Sequence, residues 1–596
     1  MKIPPATDKP SLLSSGRRRL QWWLSLIEWL RPTELQITLV LAGLTGFLGA
    51  LASLTFRHAT EVVHWVFTGS WGAGLSESFT RLPWWQRILV PTVGGAAAGL
   101  VLMFTARFVK KQRTTDYMEA VVIGDGILSV RQSLLKSLSA LFSISSGASI
   151  GREGPLVQLS AMLASAIGRI MRVSSPRLRL LVACGAAAGI ASAYNAPVSG
   201  ALFVAEVVMG TMSMGVFGPL VCSSVVATLT IRQFVGADPL YSITHFVLSS
   251  PAETFVMLGL GCVCGLLSPL YMLALRGAES WFSLLRGPVF VRLASGGLIV
   301  GVLAVWYPQV CGNGYSPVNA VLHGMWPWQE LATVLILKIV ATSATFGSGA
   351  VGGVFTPTLF IGSSIGFLFG AFVQAVSSLP GIQPPAFALI GMGAFLAAAT
   401  RAPIMAIMLI FELTLDYEVI LPLMLACVVA YYTARSFKTP GIYSEALRRK
   451  GRWEFDSELR RMRVGDIMRH DPPSVLLDAA FDEICSRFTL LPHNYLYVVD
   501  GKGRFYGVIS LHDIKRFLTN PDLAKLVIAR DIMREDFPSL RPDDLLTTVF
   551  ERFARHDGER LPVLSRDGVD LLVGSVSKAD ALLAFAEQPE MRSPRA

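Results

Sequence analysis

The chain has 596 residues, of which 52% are hydrophobic and 16% are charged. Soluble domains carry about 25% charge, so this composition excludes an ordinary soluble protein and points to the membrane. The formal net charge of +10 calls for no nucleic acid, because the basic residues gather at the borders of apolar runs.

In chain order, residues 1–32 read as a cytoplasmic amphipathic segment. Arg17, Arg18 and Arg19 stand with Trp22, Trp23 and Trp29, which suits a membrane interface. Met1–Pro10 lacks the apolar run of a cleavable signal. Residues 33–445 then carry repeated apolar stretches, including Ile37–Phe56, Ile88–Phe104, Gly215–Ile231, Phe255–Leu275, Leu298–Trp306 and Leu359–Val373. Many are broken by Gly or Pro, which membrane depth tolerates only where protein or a cavity surrounds the break. A transporter or channel follows, rather than an anchor. Arg107, Lys110, Lys111 and Arg113, and later Arg435, Lys438, Arg448, Arg449, Lys450 and Arg452, read as cytoplasmic borders. The seven cysteines are scattered and the eight histidines form no ligand spacing, so neither a disulfide framework nor a metal centre is expected.

Two stretches can be laid over each other. Ser146-Gly147-Ala148, Gly151 and Pro155 match Ser348-Gly349-Ala350, Gly353 and Pro357. Further on, Gly185, Ala196-Pro197 and Glu206 match Gly391, Ala402-Pro403 and Glu412 at nearly the same spacing. The membrane part therefore reads as two repeats, about 33–235 and 253–435, with a site at their junction; their inversion is inferred by analogy.

Each matched loop supplies glycines, then proline, then an apolar run. Proline suits a helix start, glycine admits close approach, and the free amides with the helix dipole make an anion site. Binding without a fixed full charge suits conduction, which needs release as well as entry. Packing glycines are the competing explanation, weakened by the pairing of the loops. Glu153 is an ionisable residue at membrane depth and so a candidate gate: its carboxylate occupies the place the anion wants, and protonation vacates it. The matching position is Phe355, so gating chemistry is expected in one half only.

The set "GREGP", "GSGAVGGVFTP", "CGAAAGIASAYNAP" and "GNGYS" resembles the CLC family of chloride channels and chloride/proton exchangers; "TTDYMEA" and "LFVAEVVMGTM" look closest to its ClcB-like bacterial branch. The resemblance implies an all-α polytopic membrane protein with two inverted repeats and broken helices, and a homodimer in the bacterial inner membrane with cytoplasmic termini. It implies chloride as transported ligand, no required cofactor and no enzyme activity. By it Glu153 is the gating glutamate, the amides of Gly154, Val354 and Phe355 line anion sites, and Tyr443 offers its hydroxyl to the central anion. Thr115 falls at the family's inner serine, but the glycines and proline around that serine are missing here. Exchangers of the family commonly carry two consecutive glutamates where this chain has Glu206 followed by Val207. Valine carries no proton, which tips the reading towards a voltage-gated chloride channel. Glu206 is read as structural, because Glu412 repeats it, with a proton path as its alternative role.

Residues 446–463 form a basic linker, and composition then turns mixed. "VGDIMRHD" is echoed by "ARDIMRED", and "GVISLHDIKRFL" by "GSVSKADALLAF". This looks like a small α/β tandem CBS pair, at 464–520 and 529–588. Ser510/Asp513 and Ser577/Asp580 keep the spacing by which such modules hold an adenosine nucleotide. The same S-x-x-D spacing is also a helix cap, so a purely structural, dimerising pair stands beside the nucleotide sensor. A chloride/proton antiporter with another internal route is the main alternative function. An intramembrane enzyme lacks its motifs, and a CBS-bearing cation transporter lacks a carboxylate-lined path.

Overall fold

The computed structural model describes residues 34–581, apart from 73, 109–115, 123, 238–240, 242–250, 286, 378–381, 438, 444–461, 491–493, 519–525, 556–558 and 566–569. The expected N-terminal amphipathic segment, most of the basic linker and Thr115 lie outside the described residues. The chain divides into two compact units, Met1–Leu447 and Arg448–Ala596.

The first unit is helical. Its first half contains α1 (Glu34–Thr68), α2 (Leu75–Arg81), α3 (Trp84–Phe108), α4 (Tyr117–Val122), α5 (Val130–Ser145), α6 (Glu153–Ile170), α7 (Ser175–Tyr194), α8 (Pro197–Phe203) and α9 (Met214–Val235). Its second half contains α10 (Pro251–Leu284), α11 (Val289–Trp306), α12 (Tyr315–Leu322), α13 (Trp328–Gly347), α14 (Phe355–Val376), α15 (Pro384–Thr400), α16 (Pro403–Thr414) and α17 (Ile420–Ser436). Among the described residues seven helices are long and apolar enough to cross a membrane. At 1.5 Å per residue, α1 and α10 are each about 50 Å long, more than the ~30 Å hydrocarbon core, so they tilt or protrude. Helices α8 and α16, of 7 and 12 residues, cannot cross alone.

The two halves are built alike. Helix α7 packs on α6 as α15 packs on α14, and small residues allow it. A Cβ on Gly185 would lie 2.6 Å from the Ser160 carbonyl, and one on Gly391 2.5 Å from the Gly362 carbonyl. Each buried helix ends on a left-handed residue, Asn195 (φ 58°) and Arg401 (φ 65°), before Ala-Pro opens the next. Proline contributes differently from expectation. Helices α6 and α14 begin two residues before Pro155 and Pro357. The first four amides of a helix have no internal acceptor, so proline at the third position forfeits no bond.

The halves grip each other through reciprocal caps. Glu206, in the π-turn Val204–Met209 after α8, accepts the amides of Ile404 (3.3 Å) and Met405 (2.8 Å) at the start of α16. Glu412, on α16, accepts the amides of Val198 (2.9 Å) and Ser199 (2.8 Å) at the start of α8, and the Ser199 hydroxyl (2.5 Å). Each short helix thus carries the acid that caps the other. A carboxylate beside exposed helix-start amides satisfies orphan donors and complements the dipole.

The second unit holds a parallel-antiparallel sheet, β1 (Ser474–Leu476), β2 (Tyr495–Val499) and β3 (Phe505–Ser510), and an antiparallel pair, β4 (Arg560–Leu564) and β5 (Leu572–Ser577). Helices α18 (Val464–Ile467), α19 (Phe481–Leu490), α20 (Leu511–Leu518), α21 (Ala529–Ile532) and α22 (Leu546–Arg555) accompany them. The leading segments are exchanged. Val464 packs in the core around Leu561, Val563 and Val576, whereas Ala529 and Ile532 pack with Leu496, Val498 and Ile509. Backbone pairs seal the exchange: Arg469 with Ser575, and Arg534 with Val508.

Glu412→Ala is expected to cost about 2 kcal/mol or more, from the lost cap and its charged hydrogen bonds. Thermal unfolding of the purified protein in detergent measures this. An unchanged melting temperature would mean the caps do not support the seam.

Candidate functional site

The matched glycine loops meet. The Gly151 amide donates to the Gly353 carbonyl at 2.7 Å, and the Gly353 amide donates to the Gly151 carbonyl at 3.0 Å. This antiparallel bridge joins the segments leading into α6 and α14, so two helix starts converge on one buried place. Turns at Gly147 (φ 96°) and Gly349 (φ 93°), a conformation glycine adopts without steric cost, steer the chain into it. Ser149 braces the first loop, its hydroxyl 2.9 Å from that of Thr342 and its amide donating to Thr345 Oγ1 at 3.3 Å.

The first intrahelical bonds run from Leu156 to Arg152 and from Thr358 to Val354. The earlier amides, those of Gly154, Val354 and Phe355 included, therefore have no helical acceptor. Gly154 lies against the opposite loop, since a Cβ there would stand 3.3 Å from the Gly352 carbonyl carbon. Val354 and Phe355 are 3% and 1% exposed. Each residue predicted for the anion sites at these helix starts is thus gathered at the junction.

Glu153 is 2% exposed and opens α6. Its Oε1 accepts the Tyr194 hydroxyl at 2.8 Å and also the Thr356 hydroxyl; the two hydroxyls are themselves 3.1 Å apart. Among the described residues Oε2 has no hydrogen-bond partner, and it lies against the bridge, where Cβ atoms on Gly151 and Gly353 would fall 1.8 and 2.9 Å from it. The acid therefore folds over its own helix start, in a space that exists because both loops are glycine there.

A row of rings leads away from Glu153. Tyr194 contacts Phe355 (5.3 Å between centroids), Phe355 contacts Phe203 (6.2 Å), and Phe203 meets Tyr443 edge-on (5.3 Å). Tyr443 is joined to the junction by these rings, although about 290 residues of sequence separate it from Glu153. Tyr117, buried beside the departure from the family loop, is anchored through its amide to Gln158 Oε1 at 3.1 Å. Glu206 stands apart in role, since both of its oxygens accept α16 amides. Sequence reasoning missed Tyr194, Thr356 and Phe203. Tyr194 sat in a quoted small-residue run, where a lone tyrosine was the available signal.

In the second unit Asp513 accepts the Ser510 amide (3.0 Å) and hydroxyl (2.6 Å), then Arg534 through Nε (3.0 Å) and Nη2 (2.5 Å). Asp580 repeats this with the Ser577 amide (3.2 Å) and hydroxyl (2.6 Å), and with Arg469 through Nε (3.0 Å) and Nη2 (2.7 Å). The predicted Ser/Asp pairs are therefore internally satisfied, and each arginine comes from the other repeat of the tail. Burial pushes both carboxyls up, but the serine and arginine hydrogen bonds outweigh it and hold them below the usual aspartate value.

A sequence profile described as voltage gated chloride channel matches residues 93–435, and one for the CBS domain matches 464–520 and 529–587. The chain belongs to the CLC family. It is 50% identical over 417 residues to a putative chloride channel protein ClcB-like of Ralstonia nicotianae, covering 69% of this chain and 96% of that protein. It is 41% identical over 415 residues to the voltage-gated ClC-type chloride channel ClcB of Salmonella typhimurium, covering 68% and 98%. Among solved structures it resembles a slow cyanobacterial Cl-/H+ antiporter at TM-score 0.62 and 25% identity, covering 69% and 97%. A eukaryotic CLC transporter shares the fold at TM-score 0.58 and 19% identity, covering 91% and 97%. This CLC protein is thus a multi-pass chloride-transport protein with a tandem CBS tail.

The depressed Asp513 and Asp580 carboxyls fix a sign. Their stabilisation is complete above the unfolded aspartate value of about 3.9 and is lost as pH falls through the lower folded values. Hydrogen-exchange protection of the strands bearing Val508 and Ser575, corrected for intrinsic rate, should therefore hold down to about pH 4 and fall below it. Asp513→Asn with Asp580→Asn should flatten that dependence; a profile unchanged by the substitutions would remove the pairs from the tail's stability.

Proposed function

We propose that this CLC protein is a chloride channel gated by Glu153, with its anion pathway running past the Gly154, Val354 and Phe355 amides to Tyr443. The observation that carries the reading is the seat of the Glu153 carboxylate at two converging helix starts. Like ends of two dipoles repel, and a negative group between them relieves the repulsion. The carboxylate and chloride answer the same need and compete for one place. Protonation removes the carboxylate's advantage and frees the seat for the halide. Tyr194 and Thr356 hold the acid in the seated position, so they belong to the gate. Voltage dependence, the homodimer and the inner-membrane location belong to the same proposal.

Passive flow is favoured over exchange by Glu206 and Val207. The valine has no proton to give, and Glu206 is committed through both oxygens to amides of α16. The ClcB proteins among the relatives are described as channels, which agrees. A chloride/proton antiporter with another internal route is the reading the decisive experiment separates. In liposomes under a chloride gradient, the reversal potential should sit at the chloride Nernst value and ignore an added pH gradient. A displacement by the proton gradient would assign exchange. Glu153→Gln should give flux indifferent to pH and no lower than that of the acidified unsubstituted protein. A retained pH profile would unseat Glu153 as the gate.

For the tail we infer a closed structural pair. A ribose would have to displace Arg534 from Asp513 Oδ1, or Arg469 from Asp580 Oδ1, and hydrogen bonds between two charged groups are the stronger class. The full chain in detergent should show no saturable ATP binding at physiological concentrations. Saturable binding abolished by Asp513→Ala or Asp580→Ala would assign the nucleotide sensor instead.

A further inference from the structure

Beside the junction, but outside the row from Glu153 to Tyr443, lies a small cleft between α1, the N-terminal end of α6, α7 and α9. It is lined by Ser53 and Arg57 of α1, Arg152, Ser192 of α7, and Ile231 and Val235 of α9. Its free volume for a water-sized centre is about 10 Å³, which is the room of a single small particle.

Three polar atoms around this cleft are buried and have no hydrogen-bond partner among the described residues: Ser53 Oγ, Ser192 Oγ and Arg152 Nε. Ser53 as a residue is only 3% exposed. Buried polar groups are nearly always satisfied, and an exception calls for an occupant or an explanation. Serine hydroxyls within helices often turn back onto a carbonyl one turn earlier, yet these two do not. The charges make the same demand. Arg57 and Arg152 line the same cleft, so two positive groups share one small space and repel. Glu61 answers part of this, 3.5 Å from Arg57 Nε, but it is shared with His58 at 3.6 Å. Arg152 otherwise rests over the Tyr315 ring, 5.6 Å from its centroid, and interacts with the Tyr315 hydroxyl and with the neighbouring Glu153, which leaves its Nε unanswered. Two guanidinium groups are donors only, and serine hydroxyls donate readily. Such a set is matched by an acceptor carrying negative charge, which relieves the repulsion as well as the orphaned donors.

We propose that this cleft is a second, off-pathway anion site that holds one monatomic anion of the chloride class between Ser53, Ser192, Arg152 and Arg57. The bound anion braces Arg152, and with it the first turn of α6. Binding here does not rest on the gating role of Glu153; only its consequence for the gate does. A water molecule has the size but not the charge.

Anomalous diffraction from crystals of the full chain grown in bromide distinguishes these. A bromide peak within hydrogen-bond reach of Ser53 Oγ, Ser192 Oγ and Arg152 Nε is expected. In the Ser53→Ala, Ser192→Ala double variant that peak should be lost while bromide at the Gly154–Phe355 junction remains. Both serine changes are small, and a second readout covers altered folding. In detergent, the rise in melting temperature from gluconate to chloride should be smaller in the double variant than in the unsubstituted protein. Density without an anomalous signal, meaning water, would overturn the site. So would bromide at the junction with none in the cleft, or an equal chloride-induced rise in both proteins. Failure of the gate would appear separately, as chloride flux indifferent to Glu153→Gln with the cleft peak intact.

Discussion

The membrane unit depends on an electrostatic conflict that it keeps unresolved. Two helix starts are brought together, in a low-dielectric interior, by the paired hydrogen bonds between Gly151 and Gly353. Each presents amides without acceptors and the positive end of a dipole. Two mutually satisfying backbone bonds hold the loops together, but they leave the amides of the first turns unanswered. A negative charge at this point answers the dipoles, and among the described residues Glu153 is the acid that opens one of these two helices. On the proposed reading, chloride answers the same deficit. A tighter cage of fixed cations would bind the ion and keep it, whereas amides and dipole ends leave release affordable.

Symmetry separates support from chemistry. Where the halves agree, the residues are structural: Gly185 with Gly391 at close helix approaches, Asn195 with Arg401 at left-handed caps, and Glu206 with Glu412 as exchanged acids. Where they disagree, the residues crowd around the junction of the two glycine loops. Glu153 stands opposite Phe355, Arg152 opposite Val354, and Thr356 opposite Gly154; Tyr194 corresponds to Thr400. The tail uses exchange again, with Arg469 and Arg534 each reaching the aspartate of the other tail repeat. In both units a duplicated segment stabilises its twin rather than itself, which makes the two copies interdependent.

This also explains what could be read beforehand. Repeats were legible because packing demands the same residue type at the same place: glycine at a close approach, Ala-Pro at a new helix start, acid at a cap. Glu153 was legible because an ionised group at membrane depth has few bland explanations. Tyr194 and Thr356 were not, because a tyrosine in a small-residue run and a threonine before a proline acquire meaning only when folding sets their hydroxyls 3.1 Å apart around one oxygen. The tail's Ser/Asp spacing was visible in the sequence, but its arginine partners lie in another segment, and neither residue type nor spacing names them. Proline misled slightly: it marks the first turn, and any of the first turn's unbonded amides will do.

The exchanged acids bear on transport as well as on folding. A residue that takes up and releases protons during a cycle must lose its partners cheaply at each turn. Glu206 has no such freedom. Its oxygens take the amides that open α16, and α16 in turn carries Glu412, which closes the same arrangement from the other side. Neutralising Glu206 would weaken the cap of one half-helix and strain the seam shared by both repeats. Glu153 is placed oppositely: one oxygen is held by two side-chain hydroxyls and the other by nothing. Side-chain hydroxyls can turn to a new acceptor, whereas helix amides cannot. The chain thus fixes one acid in its framework and leaves one oxygen of the other without a partner among the described residues, which is the placement the proposed gating role asks of Glu153.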